Sequence, residues 1–186
     1  RRRTGDAVSA EVIEPATAAG PATRPASGRR GVLEALAAAL LFAAIAAAAL
    51  WPVVSGRNSF FHIDLRYEHL PVWSATQRAL LAGDSPWWID GEYCGQPLLF
   101  IQEAPLFYPA MYPLLRTGLP VERLADVFSL LHFWLAGLAA WFLLREIAPE
   151  KTWAPIFGGV AWMLSARMVQ NAIWPNAVAV CSLLPF

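Results

Sequence analysis

Charge is scarce in this chain: Asp, Glu, Lys and Arg make up 15% of its 186 residues, where a soluble domain carries about a quarter. Net charge is absent too, with fourteen basic residues against fourteen acidic ones. That balance excludes a nucleic-acid partner held by bulk charge. Cysteine is nearly missing, with only Cys94 and Cys181, and no CxxC or Cys/His cluster surrounds either. A zinc ribbon and a disulfide framework are therefore excluded, and both thiols are expected to be unpaired. Lysine occurs once, at Lys151; the other basic residues are arginine. With the alanine excess, this reads as a coding bias rather than as function.

What the chain has instead is apolar length. Hydrophobic residues reach 57%, mean hydropathy is +0.43, and nine tryptophans, ten phenylalanines and four tyrosines accompany them. Residues 35–54, ALAAALLFAAIAAAALWPVV, carry no charge. As a helix they span roughly 30 Å, the thickness of a bilayer's hydrocarbon core. A cleaved signal peptide has a shorter apolar core of about 7–15 residues. The reading is an all-α integral membrane protein with spans at about 32–54, 125–145, 153–173 and from 176 onward. Because 176–186 is too short to cross, an amino-terminal piece of a longer polytopic protein is expected, truncated at both ends.

Residues 1–30 hold six arginines among Ala, Pro, Gly, Thr and Ser, and prolines interrupt any apolar period. A disordered tail is expected there. Arg29 and Arg30 before the first span, and Arg145 and Lys151 between the second and third, all predict a cytoplasmic amino terminus. The remaining region, 31–186, forms the membrane domain, and 55–119 becomes a long, mildly acidic external loop. Within it, Val72, Ala75, Ala79 and Leu80 fall on one face of a helix over 71–82, stopped at Gly83-Asp84-Ser85-Pro86. That helix is expected to lie on the membrane surface.

Chemistry concentrates where the loop begins, at His62, Asp64, Arg66, Tyr67, Glu68 and His69. Asp64 and Glu68 sit one helical turn apart. A carboxylate there can serve as general base toward a sugar hydroxyl; the other reading is a solvated interfacial cluster. His62 with Asp64, or Asp64 with Glu103, also offers ligands for a divalent cation such as Mg²⁺, though no spacing demands a metal. Arg167 lies 16 positions after Lys151, about 24 Å along a continuous helix. An arginine at that depth needs a partner such as phosphate, or it snorkels to the headgroups. His132, beside Trp134, reads as a hydrogen-bonded contact between helices.

The order of several short runs carries a resemblance. DLRYEHLPVW from Asp64, LLAGDSPWW from Leu80, GQPLL from Gly95 and Tyr108-Pro109 lie in the loop. LHFWLAGL from Leu131, WMLS from Trp162, Pro175-Asn176 and Leu184-Pro185 follow. Together they resemble the first part of YfhO-like bacterial membrane proteins, which are similar to the GT-C class of glycosyltransferases. The resemblance covers most of 64–186. It departs at Ile173-Trp174, where Gly-His is commoner, and at Glu103, where an uncharged polar residue is commoner.

The resemblance implies a GT-C helix bundle in a bacterial cell membrane that takes a sugar from a polyprenyl-phosphate donor. It implies transfer to an envelope glycan or lipid on the extracytoplasmic face. Asp64 stands at the position of the catalytic aspartate, with Arg66, Tyr67, Glu68, Glu103 and Arg167 expected to bind substrate. A transporter or flippase, and a non-catalytic scaffold for envelope assembly, are the alternatives.

Overall fold

The computed structural model describes residues 28–91, 94–98, 101, 108–151 and 153–185, and the fold is mostly helical. The expected tail, apart from its last three residues, lies outside the described residues, as does Glu103. Helix α1 (Arg29–Ala49) takes up the uncharged alanine-rich run. It ends at Leu50, and a short helix α2 (Trp51–Val54) with Pro52 in its first turn follows. Proline has no N–H to continue the ladder and its ring crowds the preceding turn, so the helix breaks there rather than running on to 54.

The first connection then enters a π-helical turn (Leu65–His69), which passes directly into α3 (Leu70–Ala82). The N–H of Leu70 reaches back to the carbonyl of Leu65, a five-residue step. Gly83, at φ +80°, takes the left-handed conformation that closes α3. The stop therefore falls where the Gly-Asp-Ser-Pro signal put it. Its burial is fuller than a surface helix requires: Leu70, Val72, Trp73, Thr76 and Leu80 are buried, and α3 packs on α4 (Met111–Leu115), α5 (Val121–Ile147) and a small hairpin. In the hairpin, β1 (Trp88–Ile89) pairs antiparallel with β2 (Gln96–Pro97), so the loop is not wholly helical.

Helix α5 is the centre of the bundle. It contacts α1, α6 (Trp153–Met163) and α8 (Pro175–Leu183) as well as α3 and α4. Its contact with α6 is close because both helices present glycine. A Cβ on Gly159 would stand 2.8 Å from the Gly137 carbonyl oxygen and 2.5 Å from Cζ of Phe42 on α1. Small residues at such crossings let backbones approach, the packing device of helices in membranes. Two helices, Arg30–Ala49 and Val121–Ile147, are long and apolar enough to cross a membrane.

The expected span at 153–173 is not one helix. α6 ends at Met163 after 11 residues, and α7 (Ala166–Asn171) begins anew. Ser165 adopts extended backbone, and its hydroxyl accepts the N–H of Met168, which is helix N-capping. Eleven residues rise only about 16 Å. The 24 Å separation of Arg167 from Lys151 assumed an unbroken helix, and that geometry is replaced by the break.

Candidate functional site

The segment carrying Asp64 is held at two points, on Asp126 of α5 and on Trp174 before α8. At the first, Asp126 is completely buried, and its carboxylate accepts from the Ser59 hydroxyl and the Phe60 N–H, both at 2.9 Å. Arg123 completes the knot. It donates to Asp126 at 2.9 Å and to the Val53 carbonyl at 3.0 Å, tying α2 to α5. A buried carboxylate is tolerated because three donors surround it. Phe60 also stacks on Phe133, with centroids 6.5 Å apart.

At the second point His62 packs on Trp174, with ring centroids 4.5 Å apart. Trp174 immediately precedes Pro175 at the start of α8. Trp174 thus brings the start of α8 against the first connection.

Asp64 lies between these anchors and the π-turn, with its side chain about one-third exposed. Two contacts join it to His62, and they ask for different protonation. The Asp64 N–H donates to Nδ1 of His62 at 3.2 Å, which uses the lone pair of a neutral ring. Nδ1 also lies 3.6 Å from a carboxylate oxygen, beyond a normal hydrogen bond. Both contacts use the same ring nitrogen, so His62 holds the Asp64 backbone and leaves its carboxylate only loosely approached.

Arg66, Tyr67 and Glu68 follow on the exposed side of the π-turn, while Leu65 and His69 are buried. Among the described residues, none of Asp64's companions Arg66, Glu68 and Arg167 has an ion-pair partner. Arg167 is exposed on α7, and no described contact brings it to Asp64. No group of three or more His, Cys, Asp or Glu side chains lies together among the described residues. His62 and Asp64 offer two ligands at most, so a hard cation there would depend on substrate phosphates.

A further polar pair, buried His132 and half-buried Tyr108, joins two distant runs. The Tyr108 hydroxyl lies 2.5 Å from Nε2 of His132, whose Nδ1 is 2.7 Å from the Phe128 carbonyl. A carbonyl only accepts, so Nδ1 carries the proton and Nε2 accepts from tyrosine. Burial pushes the Tyr108 phenol above its ordinary value, which keeps it a donor. His132 is hydrogen-bonded, as expected, but to Tyr108 of the loop and to its own helix rather than to another helix. The Asp126 knot was not anticipated; an Arg-x-x-Asp pair opening an apolar helix was its signal in the sequence.

Comparison with protein-family models, with curated proteins and with solved structures finds no match.

Proposed function

We propose that this chain acts in a membrane-embedded glycosyltransferase of GT-C type, moving a sugar from a polyprenyl-phosphate donor to an envelope glycan or lipid. In this reading the Asp64 carboxylate takes the proton of the acceptor hydroxyl. The acceptor oxygen then bonds to the anomeric carbon as the bond to the donor phosphate breaks. The observation that carries it is a partly exposed carboxylate whose one ion-pair contact among the described residues is a loose 3.6 Å approach to His62, held between two anchors at the head of a π-turn. Single π-turns of this kind are frequent at functional sites. Arg66, two positions on and exposed, is the nearer cation for the donor phosphate. Arg167 keeps that role only if the substrate bridges to α7. The buried, doubly bonded His132 supports an enzyme over a transporter, which would need it on a substrate path.

Asp64→Asn keeps size and hydrogen bonding but removes the proton acceptor. Sugar transfer in the full-length protein should fall by about 10²-fold or more with insertion unchanged. Unchanged transfer would leave the scaffold reading in front. The topology belongs to the same proposal, with the amino terminus cytoplasmic and the Asp64 region outside. Cys94 is exposed and Cys181 buried, so an impermeant maleimide should label Cys94 on intact cells. Labelling only after lysis would reverse the orientation.

A further inference from the structure

At the other end of α5 three helices part around a cleft of about 410 Å³, within the range of about 300–1,000 Å³ typical of small-molecule sites. Its charged lining is Arg30, Glu34, Arg145 and Lys151, three cations against one carboxylate. Glu34 is already engaged by Arg145 at 2.5 Å and by Arg30 at 3.4 Å. Arg145 also lies over the ring of Trp141, 5.0 Å from its centroid, which fixes the guanidinium. Two positive charges are left over. Glu146 and Glu150, the other acids nearby in sequence, are exposed and do not line the cleft.

The rest of the wall is apolar, from Ala37 and Leu41 on α1 and Ile156 on α6. Cations at the mouth and alkyl groups along the wall match a ligand with an anionic head and a hydrocarbon continuation. Beside the cleft, α1 turns Leu33, Leu36 and Leu40 outward, 55–74% exposed, on a helix long enough to cross a membrane.

We propose that this cleft binds the phosphodiester headgroup of an anionic phospholipid, with Arg30 and Lys151 at the phosphate and Arg145 as the fixed cation behind them. Its first methylenes then run along Leu41 and Ile156. The inference rests on the membrane reading and not on sugar transfer.

The test uses the full chain in a neutral detergent and counts bound lipid by native mass spectrometry. Dioctanoyl phosphatidylglycerol should bind more tightly than dioctanoyl phosphatidylcholine. Arg30→Gln and Lys151→Gln, both at the mouth, should each weaken it about fivefold. Equal binding of the two lipids, or no loss in both variants, would overturn the site. Glycerol phosphate competing as tightly as the lipid would overturn the lipid as its source. Asp64→Asn should bind phosphatidylglycerol like the parent, so failure here leaves the glycosyltransferase reading standing.

Discussion

Helices α1 and α5 are alike in apolar character, yet 17% of the apolar stretch of α1 is buried against 50% of that of α5. The difference lies in what accompanies the hydrophobes. α1 offers Ala and Leu all round and turns Leu40 outward at 74% exposure. α5 carries Asp126, Ser129 and His132, all buried, and small residues at Ala136, Gly137, Ala139 and Ala140. Each polar group has a partner from another segment: the first connection for Asp126, the Ala172 carbonyl for Ser129 and Tyr108 for His132. Hydropathy picks out both helices, but polar groups that need partners and small residues that admit backbones make α5 the hub.

The contrast breaks most sharply at two side chains of comparable apolar character. Phe133 on α5 is fully buried, and Phe133→Ala should cost about 3–5 kcal/mol. Leu40→Ala on α1 should stay within about 0.5 kcal/mol, because Leu40 packs on almost nothing in the chain. Unfolding of both variants in mild detergent checks the pair. Similar losses would mean that α1 is as deeply packed as α5.

A smaller effect is expected at Asp126. Asp126→Asn keeps the shape but leaves Arg123 without its counter-charge, for about 2–3 kcal/mol. The same change should loosen the 59–64 segment. Proteolysis of that segment should rise, and the sugar transfer proposed above should fall even though no described contact joins Asp126 to Asp64. Unaltered protease sensitivity would detach the knot from the positioning of Asp64.

A smaller loss again is expected at the helix crossing. Gly159→Ala adds a methyl where Phe42 and the Gly137 carbonyl already stand, at about 1–2 kcal/mol. Cross-linking between cysteines placed on α5 and α6 would read the displacement. An unchanged cross-linking yield and melting temperature would show that the two helices do not depend on that contact.

Local pattern alone determined the two long apolar helices, the helix over 71–82 with its stop at Gly83, and the cluster from His62 to His69. Hydropathy, periodicity and a left-handed glycine are properties of neighbouring residues, so they are legible along the chain. The break after Met163 was written there too, in Ser165 as an N-cap, but the apolar run around it hid the signal. Tertiary structure alone decided the surroundings of the candidate base. Asp126 meets Ser59 and Phe60 across 66 or 67 positions, and Tyr108 meets His132 across 24. No spacing in the sequence announces His62 against Trp174, or Arg30, Arg145 and Lys151 around one cleft. Such pairings follow from burial: a polar group taken out of water must find a partner, and the packing of the helices decides which one is within reach.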